Sequence, residues 1–317
     1  MKNFAIIGAA GYIAPRHMQA IKETGQNLAI IFDKSDSVGI VDRYFPNAEL
    51  FLETERFDRR LYHLSKRESV GESIDFVSIC SPNYLHDAHI RLALHNHANA
   101  ICEKPIVLND WNLDALQDLE KETGKRIYHI LQLRLHPAIL KLQQKIAQGP
   151  ADKVYDVDLT YITSRGKWYY YSWKSNEQKS GGVTTNIGVH FFDMLINIFG
   201  PVRECQVHYL STSTAGGFLY LEHARVRWFL SIDASFLPQQ VLQMGKTTYR
   251  SLQIDDEEME FSDGFSDLHT RSYEKILEGK GFTLAEARGY VSLCQQIRNT
   301  QPIGLVGDYH PFLKKIK

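Results

Sequence analysis

Ala5-Ile6-Ile7-Gly8-Ala9-Ala10-Gly11-Tyr12-Ile13-Ala14-Pro15 joins an apolar run to the start of a helix through a glycine turn. Glycine lets a backbone come within hydrogen-bonding distance of a phosphate oxygen, and the unpaired N–H groups of a helix N-terminus add positive potential without a charged side chain. Pro15 fits there, because the first helical turn has no use for its missing N–H. Gly8, Gly11, Tyr12 and Ile13 are therefore candidates to cradle a dinucleotide pyrophosphate. The spacing is G-x-x-G-x-x-A rather than G-x-G-x-x-G, and the string gains weight from Asp33. That carboxylate ends the next strand about 20 residues past the turn, where it would accept hydrogen bonds from an adenosine ribose. It would also repel a 2′-phosphate, which favours NAD over NADP; Lys34 next to it weakens the preference.

Around the turn, short β-branched runs alternate with amphipathic stretches, the pattern of a parallel sheet with crossover helices. Strands are expected near 3–7, 28–33, 49–52, 74–80, 98–102 and 126–131, with helices near 16–23, 85–95 and 109–122. After about residue 133 the texture changes: a helix near 138–147 leads into long alternating runs at 154–163, 217–222, 224–233 and 249–254, the signature of antiparallel strands. Helices near 267–277 and 284–298 close the chain. The expected fold is α/β: an N-terminal doubly wound (Rossmann) parallel sheet over 1–133, followed over 134–317 by an α+β domain with a largely antiparallel sheet for substrate binding and oligomerisation.

A chain of 317 residues suits two domains, each with its own core. With 36 Lys and Arg against 37 Asp and Glu and no basic run, nucleic acid is not an expected partner. Cys80, Cys102, Cys205 and Cys294 are scattered without C-x-x-C spacing and read as reduced core residues. The apolar start, broken by Gly8 and Gly11, lacks the layout of an export signal, so a cytoplasmic protein without a membrane partner is expected.

Two further stretches follow the fourth and fifth strands: Ser81-Pro82-Asn83-Tyr84-Leu85-His86 and Glu103-Lys104-Pro105. The carboxyl edge of an open parallel sheet is where ligands bind, so Ser81, Asn83, His86, Glu103 and Lys104 join the cofactor-site candidates. Later comes Gly181-Gly182-Val183-Thr184-Thr185-Asn186-Ile187-Gly188-Val189-His190-Phe191-Phe192-Asp193. The glycine turn, the E-K-P triplet and this segment, in that order, resemble the Gfo/Idh/MocA family of NAD(P)-dependent sugar oxidoreductases along nearly the whole chain. The resemblance implies that Lys104 and His190 lie around the reacting carbon. Oxidising a secondary alcohol needs removal of the hydroxyl proton by a base suited to neutral pH, a task for His190. Lys104 would donate a hydrogen bond to the reacting oxygen and favour the alkoxide; the minority assignment makes it the base. Asn186 stands where the family often has Asp, which removes a rival proton carrier and leaves an amide to orient substrate.

Within the family, G-A-A-G-Y-I-A-P-R-H, Q-L-R-L-H-P and G-G-V-T-T-N-I-G-V-H-F-F-D are similar to the branch that oxidises C3 of UDP-N-acetyl-2-amino-2-deoxyglucuronate in surface-polysaccharide (O-antigen, lipopolysaccharide) synthesis. That likeness implies NAD as cofactor, a UDP-sugar as substrate, 2-oxoglutarate as a second partner, and a homo-oligomer, dimer or tetramer. Residues 165–174 fit such a substrate, combining three cations with five aromatics in ten positions. Arg165 and Lys174 would pair with pyrophosphate or uronate charges while Tyr170 or Trp173 stacks on uracil or the pyranose; a subunit interface favours the same residue types. Gln132, Arg134 and His136 are candidates to reach the nicotinamide or a substrate carboxylate; His136, before Pro137, equally suits a residue that only shapes the linker. His86 and His89 flank Asp87 without a third ligand in pattern, so no metal is expected. The alternatives are a family dehydrogenase of a free sugar or inositol, and a non-catalytic NAD-binding sensor.

Overall fold

In the computed structural model, residues 1–67, 71–255, 257–261 and 267–316 are described. The chain divides into two compact units, Met1–Gln132 with Ser266–Arg288, and Leu133–Phe265 with Gly289–Lys317.

The first unit begins β1 (Asn3–Ile7), α1 (Ala14–Glu23), β2 (Asn27–Phe32), β3 (Glu49–Phe51), α2 (Thr54–Ser65) and β4 (Phe76–Ile79). It continues α3 (His86–His95), β5 (Asn99–Cys102), α4 (Asp110–Thr123) and β6 (Ile127–His129). The sheet order is β3-β2-β1-β4-β5-β6 and every pairing is parallel. Central strands β1 and β4 are buried almost throughout, as expected for a sheet whose two faces carry helices. Chain order reverses between β1 and β4, which opens a crevice at their carboxyl ends. Helix α2 escapes the sequence reading because it is rich in charge and only Phe57, Leu61 and Leu64, spaced four and three apart, face inward.

The second unit holds α5 (Pro137–Ala147), β7 (Tyr155–Thr163), α6 (Trp168–Tyr171), α7 (Glu177–Ser180), α8 (Gly182–Asn186) and α9 (Val189–Phe199). Then come β8 (Val202–Leu210), β9 (Thr214–Leu221), β10 (Ala224–Ser231), α10 (Gln239–Gln243), β11 (Thr248–Ile254) and β12 (Glu257–Glu260). Its sheet runs β12-β11-β7-β10-β9-β8 and is antiparallel except for β7 with β10. The edge strand β8 is hard to read because Arg203 and Glu204 are exposed and only Val207 and His208 are buried.

The closing helices α11 (Leu268–Leu277) and α12 (Leu284–Asn299) correct one expectation. The sequence reading gave both to the second domain, yet residues 267–288 pack in the first unit. Tyr273 and Ile276 of α11 are buried there against Phe4, Met18 and Ile21, with the Tyr273 ring stacked 5.8 Å from that of Phe4. Among the described residues no helix is long and apolar enough to cross a membrane.

Candidate active site

Gly8 follows β1 at φ +88°, a conformation side chains avoid, and donates its N–H to the Phe32 carbonyl at 2.8 Å. A Cβ on Gly8 would stand 2.8 Å from the Cys80 carbonyl and the Ser81 nitrogen, so only glycine permits the turn to approach the end of β4 this closely. Gly11 closes the turn onto the Gly8 carbonyl, and Ile13 packs toward the core while Tyr12 is 97% exposed. Asp33 braces the same turn, accepting from the Ala10 N–H at 2.9 Å and from the Ser35 N–H at 2.8 Å. A bare backbone cradle before a helix N-terminus, with a half-exposed carboxylate beside it, fits the pyrophosphate and ribose of a dinucleotide.

At the ends of β4 and β5 the candidates separate. Ser81 and Asn83 are buried in the loop after β4, and the Ser81 hydroxyl meets His89 Nδ1 at 2.8 Å. Burial, with His86 and Lys34 nearby, lowers the His89 pKa to about 4, so its ring is neutral. His86 is fully buried with Nδ1 2.6 Å from the Pro105 carbonyl and Nε2 2.9 Å from the Ser81 carbonyl. Its ring ties the two strand-end loops together. The Glu103 carboxylate points inward, Oε1 meeting His17 Nε2 and His269 Nε2 at 3.0 Å each. Lys104, next to it, is half-buried, and its N–H donates to Glu103 Oε2 at 3.2 Å; the Lys104–Pro105 peptide is cis. His17, His269 and Tyr273 were missed. The available signal was a histidine on the same buried helix face as Ala14, Met18 and Ile21.

In the second unit, His190 is half-buried in the first turn of α9, and Asn186, buried at the end of α8, donates to the Tyr169 hydroxyl at 2.9 Å. Tyr169, one of the five aromatics of residues 165–174 though not singled out among them, is itself 1% exposed. Around it Arg165 and Tyr170 are exposed and Trp173 half-buried. The Lys174 ammonium sits 5.7 Å from the Trp168 ring centre and 5.3 Å from that of Trp173. Burial and then the neighbouring Arg165 charge lower the Lys174 pKa, an arrangement an anion would relieve. The Arg134 guanidinium holds Asp193 through two bonds of 2.7 and 2.9 Å and thus anchors α9. His136 Nδ1 caps α5 by accepting from the Ala138 N–H, in line with a residue that shapes the linker before Pro137. Gln132 opens a short 3-10 turn that ends at Leu135. A cavity of about 610 Å³ lies elsewhere in this unit, lined by Lys141, Lys145, Lys153 and Tyr155 among others and by none of residues 165–190. Lys145 and Lys153 there already pair with Glu257 and Asp255, so the chemistry of the predicted residues outweighs the size of that cavity.

Two family models match: oxidoreductase family, NAD-binding Rossmann fold, over residues 2–130, and oxidoreductase family, C-terminal alpha/beta domain, over residues 143–220. The WlbA (WbpB) dehydrogenase of Thermus thermophilus is 48% identical, with 98% of this chain and 100% of that chain covered. The chain belongs to the Gfo/Idh/MocA family of oxidoreductases. The Thermus structures are complexes with NAD and alpha-ketoglutarate (TM-score 0.95) and with NAD and UDP-GlcNAcA (TM-score 0.94). The WlbA dehydrogenase from Bordetella pertussis, in complex with NADH and UDP-GlcNAcA, shares the fold at 18% identity and TM-score 0.77, with 97% of this chain and 98% of that one covered. Glucose-6-phosphate 3-dehydrogenase of Bacillus subtilis is 25% identical over 63% of this chain, which spans about half, 54%, of that relative's length. This family membership makes the chain an oxidoreductase with an NAD-binding domain.

Proposed function

We propose that this protein oxidises the C3 hydroxyl of UDP-N-acetyl-2-amino-2-deoxyglucuronate to a ketone, with NAD as hydride acceptor, during synthesis of bacterial surface-polysaccharide (O-antigen) sugars. The observation that carries the reading is near full-length likeness, at 48% identity, to a dehydrogenase solved with NAD and UDP-GlcNAcA, in a chain that has both Lys104 and His190. The alpha-ketoglutarate of the companion complex supports reoxidation of NADH by 2-oxoglutarate. The name of the Bacillus relative supports position 3. Substrate and cofactor are both cytoplasmic metabolites, which supports that location. A homo-oligomer, dimer or tetramer, is supported by the capacity of a largely antiparallel sheet to keep one face for a second copy.

Gly8, Gly11 and Asp33 would hold the dinucleotide, which supplies a hydride acceptor when bound. His190 takes the proton of the C3 hydroxyl, and a neutral imidazole is the form that can do so. Lys104 donates to the oxygen as negative charge develops on it, and this stabilises the transition state more than the ground state. Asn186 orients the sugar. Arg165 and Lys174 meet the pyrophosphate or uronate, with Tyr170 and Trp173 as stacking surfaces.

The test follows NADH absorbance on mixing protein, NAD and UDP-N-acetylglucosaminuronate, with a parallel sample containing 2-oxoglutarate assayed for its reduced product. Lys104→Ala and His190→Ala should each lower kcat/KM by about 10³-fold or more while NAD still binds. NAD binding without turnover of this sugar in either sample would sink the reading and leave free sugars or inositols. Absence of turnover on those too would leave a sensor.

A further inference from the structure

Beneath the E-K-P loop lies a buried polar cluster that the proposed reaction does not use directly. Glu103 is 7% exposed and its Oε1 receives two histidine nitrogens, His17 Nε2 from α1 and His269 Nε2 from α11, both at 3.0 Å. On the far side of the His17 ring, Nδ1 lies 2.7 Å from the Tyr273 hydroxyl, which lies 2.6 Å from the Ser78 hydroxyl of β4. One proton arrangement satisfies this chain. Ser78 donates to Tyr273, Tyr273 donates to His17 Nδ1, and the Nε2–H groups of His17 and His269 both donate to Glu103. Burial alone would push the Glu103 carboxyl up, but the bonds from His17 and His269 hold it well below the usual range, whereas burial lowers His17. A charged carboxylate facing a neutral His17 follows. Its second oxygen, Oε2, is then turned to the Lys104 N–H.

We infer that His17, Glu103 and His269 are positioning residues for Lys104. The ionised carboxylate, gripped from two helices, fixes the backbone from which the Lys104 side chain departs. His17 stands on the helix that follows the glycine turn, so the same clamp ties the E-K-P loop to the cofactor cradle. His269 and Tyr273 stand four residues apart on one face of α11, which gives that helix a reason to belong to the first unit. The inference rests on the reading of Lys104 as a group that contacts the reacting oxygen. The three side chains are also a donor set that a metal could use, and the experiment separates the two roles.

His269→Leu removes the donor at similar bulk, and His269→Gln restores an N–H donor. The leucine variant should lose roughly 10- to 100-fold in kcat on UDP-N-acetylglucosaminuronate, the scale of a misplaced catalytic group. Its NAD Kd should stay within about threefold of wild type, and the glutamine variant should recover much of the kcat. Independently of turnover, reductive methylation with ¹³C-formaldehyde gives a Lys104 resonance, assigned by its absence in Lys104→Arg. That resonance should move in His269→Leu and return in His269→Gln. Should the leucine variant not fold, Glu103→Gln replaces it, since an amide cannot accept from both histidines and from the Lys104 N–H at once. An unmoved resonance, or a glutamine variant as impaired as leucine, would overturn the inference. So would a stoichiometric metal in the purified protein whose removal by chelator abolishes activity. Wild-type inactivity on the sugar refutes only the substrate assignment, because the resonance is read without substrate.

Discussion

The glycine turn and residues 165–174 are two candidate ligand-binding regions built on opposite plans. At the turn the work is done by main chain: Gly8 approaches Cys80 and Ser81 as no other residue can, and the one side chain involved, Asp33, also holds the loop through Ala10. In residues 165–174 the side chains carry everything, with Lys174 set against Trp168 and Trp173 and lowered in pKa by burial and Arg165. A backbone site tolerates almost no substitution at its few glycines. A side-chain site spreads its affinity over several groups, each dispensable at moderate cost. Predictions that follow from this contrast differ in size by region.

The largest effect is expected at the turn. Gly8→Ala forces a residue at φ +88° and sets a Cβ 2.8 Å from main-chain atoms that cannot swing away. A left-handed residue costs about 1–2 kcal/mol and forced overpacking about 1–3 kcal/mol, so a stability loss of about 2–5 kcal/mol is expected, with NAD binding abolished. Urea unfolding and calorimetric titration with NAD measure both. A Gly8→Ala protein with wild-type affinity for NAD would erase the distinction between the two plans.

Next in size is His89, whose ring meets the Ser81 hydroxyl in the loop after β4. His89 has a folded pKa of about 4, below its unfolded value of about 6.5, because it is buried beside His86 and Lys34. Between those values the unfolded chain binds the extra proton, so stability rises with pH across the window. The contribution is present in full above about pH 6.5 and is lost as pH falls toward 4, by on the order of 3 kcal/mol. His89→Asn keeps a donor for Ser81 without a titrating ring and should flatten the urea-derived slope between pH 6.5 and 4 by about one proton. Matching slopes in the two proteins would show that His89 does not titrate in this window.

How much could be read from sequence follows the same division. The glycine turn, Asp33 and the parallel sheet were legible because backbone geometry restricts residue type at fixed offsets. The strand bounds of β1, Asn3–Ile7, were read without error, since a buried central strand is a continuous apolar run. His86, Glu103, Arg134 and His136 were found as polar residues in the right loops, but the partners their side chains reach were not legible. A side chain's direction depends on partners distant in sequence: Glu103 turns inward because His269 lies 166 residues away. The assignment of α11 failed for the same reason, its Tyr273 meeting Ser78 and His17 only in the folded chain. Charged α2 and polar edge strand β8 hid their periodicity.

The smallest effect is expected in the side-chain site, and it decides whether that site exists. Lys174→Ala removes the alkyl stem together with the ammonium that stands beside Trp168 and Trp173, whereas Lys174→Met removes the charge and keeps an unbranched side chain of similar length. A charge-assisted hydrogen bond contributes about 1.5–3 kcal/mol, so Lys174→Met should raise KM for the UDP-sugar by roughly 10-fold or more. An interaction present equally in ground and transition states leaves kcat near wild type, and NAD affinity should not move. Arg165→Met should add less than its single effect to Lys174→Met if both cations meet one anion, because neighbouring groups on a shared partner do not act independently. Two methionine variants with unchanged KM, and an oligomeric state shifted in sedimentation velocity, would reassign residues 165–174 from substrate recognition to contact between subunits.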